Sequence, residues 1–262
     1  MMNVLSIFGI NYQELFVIKQ LAHKDKSREN ASSFLGQLWQ ILNPFINMVV
    51  LVLVFSTMFA RKDFVNYPIY VATGTMIFDV FSSGTKSCLK ALVANKNFLI
   101  KTQLDKAIYV KEKIYVVLIN FGYAFLIYLG IMLVCNVSLK WTMILLIPDL
   151  MLLFLMVYGL GLILSVIDVL FADISYLYDI FVLLMFYGSA LFFDPSKLGI
   201  EIQTFLSFNP VYLSIAIARI SIIDGMIPGV GLWVKLAVYA LLFYILGKWV
   251  FEKGTENIVC KI

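Results

Sequence analysis

The chain has 262 residues, 62% of them hydrophobic and only 14% charged, with a net charge of +4 and a mean hydropathy of +0.94. Soluble domains carry roughly 25% charged residues, so a soluble globule is excluded. The length leaves room for about six membrane crossings with modest loops, and for no separate soluble catalytic domain.

The charge is segregated. No charged residue occurs between Glu29 and Arg61, and Ile114 to Leu139 is equally free of charge. A helix rises about 1.5 Å per residue, so some 20 apolar residues cross a hydrocarbon core of about 30 Å. The pattern predicts an all-α membrane protein. The N-terminus lacks the basic region and small-residue cleavage site of a secretory signal, so no cleavable leader is expected. Cys88, Cys135 and Cys260 have no metal-type spacing, and their odd number argues against a disulfide framework.

In chain order, residues 1–37 form an inner segment. Leu15, Ile18 and Ala22 share one helical face, and Gln13, Gln20 and Lys24 another, which predicts an amphipathic helix in the membrane interface. The alternative is a lead-in helix packed on the bundle. Residues 38–262 form the membrane domain, its first crossing spanning about 38–60 with Trp39 as anchor and Pro44 near its start. Arg61, Lys62 and Asp63 make a short outer loop. The second crossing, 67–89, holds Asp79, Gly74, Gly84 and many Ser and Thr; its small residues predict burial among neighbouring helices. The stretch Lys86–Lys113, which includes the inner loop 90–113, carries seven lysines against Asp105 and Glu112. The third and fourth crossings fall at 114–135 and 143–167, with Asp149 near the outer end of the fourth, and an aromatic fifth at 174–193.

Residues 194–231 are broken by Pro195, Pro210 and Pro228 into apolar pieces too short to span. They predict two short re-entrant helices entering from outside, with a kinked seventh span as the alternative. The sixth crossing, 232–250, then returns the tail to the inside. With six crossings and both termini cytoplasmic, inner segments hold 14 of the 20 lysines and arginines, as the positive-inside rule requires.

Catalytic chemistry is sparse. His23 is the only histidine, which removes HExxH zinc sites, and no Walker A pattern occurs, so no P-loop binds ATP in this chain. No catalytic or metal-ligating residue is assigned. Of the intramembrane acids, Asp149 is expected at the interface and Asp179 within two turns of the inner edge, leaving Asp79 as the deep one, either a proton relay or a partner of neighbouring Ser and Thr.

Four segments carry a family resemblance. Lys26-Ser27-Arg28 followed by Phe34-Leu35-Gly36-Gln37-Leu38-Trp39-Gln40-Ile41-Leu42-Asn43-Pro44 resembles the basic stretch and LGxLWxxLxP start of polysaccharide-exporting ABC permeases. Asn95 to Leu104, NKNFLIKTQL, is similar to that family's asparagine and LIKK inner loop. Leu170-Phe171-Ala172-Asp173 opening an aromatic span, and Asn209-Pro210 with Arg219, match two further family patterns. The chain departs from them at Ala172, where arginine is frequent, and at Glu29-Asn30.

The resemblance implies the membrane subunit of an exporter for lipid-linked polysaccharide such as O-antigen, capsule, teichoic acid or rhamnan. It implies a homodimer in a bacterial cytoplasmic membrane, joined by two copies of a separate ATPase that holds ATP and Mg, with no cofactor in this chain and no nucleic-acid partner. By the same resemblance Asn95, Phe98, Leu99, Lys101, Leu104 and Asp105 belong to a helix that couples to the ATPase. Lys24, Lys26 and Arg28, near the inner headgroups, are candidates for a diphosphate lipid head. Aromatic rings bind the flat CH faces of sugars, so Phe45, Phe55, Phe59, Tyr176, Phe181, Phe186, Tyr187, Phe192 and Phe193 are candidate channel-lining residues. Two other readings share parts of this pattern: an ABC permease for a drug or small lipid, and a membrane-embedded lipid-processing enzyme.

Overall fold

A computed structural model describes residues 12–30, 38–59, 66–101, 104–171 and 173–261; among them every regular element is helical. Helix α1 is Tyr12–Asn30, α2 Trp39–Phe59 and α3 Tyr67–Leu89. Two short helices follow, α4 Ala91–Ala94 and α5 Lys96–Lys101. Helix α6 is Ala107–Val134; the 3-10 turn Trp141–Leu145 then leads into α7, Leu146–Leu170. Helix α8 is Ile174–Tyr187, α9 Ile200–Leu206 and α10 Pro210–Arg219, which tightens into a π turn, Ile220–Asp224. The last helix, α11, is Val230–Lys261.

Three stretches are long and apolar enough to cross a membrane: Ala107–Val134, Trp141–Leu170 and Val230–Gly254. The pair α9 and α10 with its π turn, bent by 101°, makes a fourth if it is one span. The other expected crossings fall short of that measure for separate reasons. The described apolar part of α2, Leu42–Val54, and α8 are each under 18 residues. Helix α3 has 23 residues, but Thr, Ser and Gly dilute its hydropathy.

Those same small residues explain where α3 sits. It is the hub of the bundle, touching α2, α6, α7, α8 and α10. Val71, Ala72, Met76 and Ile77 are fully buried on it, within a core that also takes Tyr128 from α6 and Met156 from α7. Polar groups inside close locally: the Thr73 and Thr85 hydroxyls donate to carbonyls one turn back, and Thr73 meets the Tyr128 hydroxyl at 2.8 Å.

Helix α1 lies along α6. Ile18 and Ala22 are buried there, while Gln13 and Gln20 stay exposed. Glu14 pairs with Lys111 at 3.4 Å, and Asp25 pairs with Lys113. Helix α6 begins at Ala107, ahead of the charge-free run that starts at Ile114, and the lysines of its first turns are matched by α1 acids. Helix α8 stops at Tyr187, six residues before the expected end of the fifth crossing. There the chain leaves the helix because its carbonyls are taken by other elements. Helix α11, in contrast, runs past residue 250 to Lys261.

Candidate functional site

At the C-terminal end of α3 the chain makes a compact hairpin through α4 and α5. Asn95, 3% exposed, joins the two. Its side-chain amide donates to the Ala91 carbonyl at 3.0 Å, and its side-chain oxygen accepts from the Lys24 ammonium at 3.2 Å. Its own carbonyl accepts the Phe98 and Leu99 amides at 2.9 and 3.0 Å. The Asn95 side chain thus ties this hairpin to α1. Leu99 packs inward on the cluster of Cys88, Leu92, Tyr109 and Tyr158, whereas Val93, Phe98 and Leu104 are exposed. Asp105 is exposed, and its carboxylate accepts the Ala107 amide at 3.1 Å, which seats the first turn of α6. The Lys101 side chain lies outside the described residues.

Of the basic candidates on α1, Lys24 is turned toward this hairpin, with its ammonium 4.2 Å from the Phe98 ring centroid. Lys26 stands 5.7 Å from the centroid of the Tyr123 ring on α6. The Arg28 side chain lies outside the described residues. Beside the hairpin, Lys90 pairs with the buried Asp168 at 2.8 Å and ties α3 to the end of α7.

The aromatic candidates divide. Phe45, Tyr176, Phe181 and Tyr187 point outward from α2 and α8. Phe186 packs edge-on against Phe78 and Phe192, both at 5.2 Å, and Phe192 is buried. Phe193 is half-buried, and the side chains of Phe55 and Phe59 lie outside the described residues. Between α2, α3 and α8 opens a cavity of about 470 Å³, with Phe78 and Phe186 among its walls and Asp79, Lys86 and Asp179 among its polar lining. Lys86 and Asp179 pair across it at 2.7 Å, a contact between residues 93 positions apart that no sequence pattern signals.

The acids need one correction. Asp149, expected at the outer interface, is fully buried. Helix α10 folds back over α7, and the Ser214 hydroxyl donates to the Asp149 carboxylate at 3.0 Å. Asp79, by contrast, is exposed and faces the cavity.

The opposite end of α3 is organised by Asn209, Pro210 and Arg219 of α10 and its cap. The Asn209 side-chain oxygen caps α10 by accepting the Val211 amide at 2.9 Å, and Pro210 occupies the first turn, where its missing N–H is harmless. The Asn209 amide reaches the Gly188 carbonyl and the Ser189 hydroxyl. Arg219, 7% exposed, donates to the carbonyls of Ala190 and Leu191 at 2.9 Å and of Tyr70 at 3.2 Å, and stacks 3.4 Å from the Tyr70 ring centroid. Tyr67 and Tyr70, one turn apart on α3, donate to the carbonyls of Phe192 and Phe193 at 2.7 and 2.8 Å. Residues 188–193 therefore spend their carbonyls on α3 and α10 instead of on another turn of α8.

Residues 18–223 match the family model described as "ABC-2 type transporter". An O-antigen export system permease protein RfbA of Myxococcus xanthus is 22% identical over 252 residues, covering 94% of this chain and 95% of that protein. A Klebsiella pneumoniae protein of the same name is 22% identical, covering 80% and 81%. The polysialic acid transport protein KpsM of Escherichia coli is 23% identical, covering 85% and 87%.

Proposed function

The chain belongs to the ABC-2 type transporter family, and we propose that it is the membrane subunit of an ATP-driven exporter that moves a lipid-linked polysaccharide outward from the cytoplasmic side. Two copies pair in the bacterial inner membrane and work with two copies of a separate ATPase, which supplies ATP and Mg. Helices α2, α3, α6, α7, α8 and α11 are the six crossings, α1 lies at the inner interface, and α9 with α10 re-enters from outside. The exposed aromatic faces of α2 and α8 meet their counterparts on the second copy and enclose the channel. The relatives named for O-antigen export and polysialic acid transport, similar over most of their length, support this cargo over a drug or a simple lipid.

The observation that carries the reading is the inner hairpin. Asn95 pins it to α1 and to its own backbone, while Val93, Phe98 and Leu104 project apolar surface from a lysine-rich loop. Rigid attachment with an exposed apolar tip is what a motor subunit needs to push a helix bundle. Surface apolar residues beside a basic loop also make a small docking epitope, where a few side chains carry most of the binding.

Replacing both Phe98 and Leu104 by alanine is expected to lower cargo-stimulated ATP hydrolysis by about tenfold and to weaken copurification of the ATPase. Both sites are exposed, so folding is retained. If the double variant copurifies and turns over like the parent, the motor docks elsewhere.

A further inference from the structure

Family membership leaves the charge of the polymer open. The cavity between α2, α3 and α8 bears on it. Thr75, Asp79, Ser82 and Lys86 recur at three- and four-residue intervals and so share one face of α3 over about 16 Å. Asn47 on α2 and Asp179 on α8 complete this polar lining. The rings of Phe78 and Phe186, in edge contact at 5.2 Å, wall it. Flat apolar rings beside a ladder of hydroxyl, amide and carboxylate groups suit a sugar, which offers CH faces and many hydroxyl donors together.

The charges are not balanced. The Lys86 ammonium is matched by Asp179 at 2.7 Å. The Asp79 carboxylate makes no hydrogen bond or ion pair with any of the described residues. Two carboxylates therefore stand against one ammonium, and the ammonium is already engaged. Carboxylates accept sugar hydroxyls strongly, whereas a carboxylate or phosphate on the ligand would face like charge beside low-dielectric walls.

We propose that this groove binds the saccharide chain directly and selects an uncharged, hydroxyl-rich polymer over an acidic one. The proposal takes from the exporter reading only that the cargo is a saccharide. The groove residues act by contact: Asp79 and Asp179 receive hydroxyls, Phe78 and Phe186 receive CH faces, and Lys86 holds Asp179 in place.

The test uses the full chain with its ATPase subunit in lipid nanodiscs, and two probes of equal length, a neutral glucan oligomer and an oligosialic acid. Binding is read by saturation-transfer NMR. The parent is expected to bind the glucan at least tenfold more tightly. Asp79→Asn and Asp179→Asn each remove one negative charge, and each is expected to improve oligosialic acid binding by about tenfold while moving glucan binding far less. Lys86→Gln is expected to shift oligosialic acid the opposite way. A merely structural role would not produce changes that follow the sign of the charge. Equal binding of the two probes, tighter binding of the acidic one, binding of neither, or variants that move both alike overturns the groove. A complex that shows any of these and still couples ATP hydrolysis through Phe98 and Leu104 loses the groove and keeps the exporter. A chain that selects the glucan but joins no ATPase does the reverse.

Discussion

Arg219→Met is expected to unfold the junction of α3, α10 and residues 188–193 and to lower the melting temperature of the detergent-solubilised protein by about 10 °C. Arg219 is buried and hands its donors to the carbonyls of Tyr70, Ala190 and Leu191. Methionine preserves most of the volume but donates nothing, so three carbonyls lose a charged donor in a place water does not reach. Leaving a buried polar group unpaired costs about 1–3 kcal/mol each, and the loss of a buried charge's own desolvation offsets part of the sum. A net of about 3–5 kcal/mol is expected, at about 2–4 °C per kcal/mol for a chain of this size. The site also holds Ala190 at φ 50, a left-handed conformation an L-residue adopts only when its surroundings impose it. Arg219→Lys is expected to recover little, because one ammonium cannot fork across carbonyls on two segments. Gly74→Ala should act in the same direction: a Cβ there would stand 2.7 Å from a guanidinium nitrogen of Arg219, which its bonds hold still. A melting temperature for Arg219→Met within about 3 °C of the parent would show that the carbonyls find other donors.

Much of this cluster could be read from the chain, and parts of it could not. Asn209-Pro210 announces a helix start on local chemistry alone, and α10 does begin there, capped by Asn209. The small residues of α3 signal burial by their size, and α3 is the hub. On α1 Ile18 and Ala22 are buried and Gln13 and Gln20 exposed, as their spacing predicts, but Phe16 is exposed as well. Burial on α8 is a different case. Tyr176 is exposed and Tyr178 is buried, yet both are aromatic, because a residue facing lipid or a second copy is as apolar as one facing the core. Hydropathy cannot sort them. Asp149 was illegible for another reason: what buries it is Ser214, 65 positions away, on a helix whose return path no local signal fixes. The Lys86–Asp179 pair is equally remote in sequence. Local rules therefore gave helix starts and the hub, while the groove depended on long-range placement.

The contact between α7 and α11 turns on the absence of two side chains. It is the most extensive helix pairing in the bundle, and at its centre Gly159 of α7 lies against the backbone of α11 near Phe243 and Tyr244, while Gly247 of α11 lies against Gly159 itself. A Cβ on Gly159 would stand 2.6 Å from the Tyr244 amide nitrogen, and one on Gly247 2.8 Å from the Gly159 carbonyl carbon. Backbone cannot rotate aside as a side chain can, so even one methyl group forces the two helices apart along their length. Between helices in lipid no hydrophobic gain replaces the lost contact, since the tails are as apolar as the residues. Gly159→Ala or Gly247→Ala is therefore expected to cost about 2–4 kcal/mol, at or above the upper range for overpacking, and valine more. Because both glycines serve one contact, the double variant should cost much less than the sum of the singles. Gly122 and Gly130 on α6 supply the contrast: a Cβ at either meets nothing within 4 Å. There alanine should stabilise by up to about 1 kcal/mol through helix propensity alone. Melting curves of the four single variants, measured side by side in one detergent, separate the two cases. If Gly159→Ala melts with Gly122→Ala, the two helices are not held at backbone contact and the bundle is looser along that seam than its geometry says.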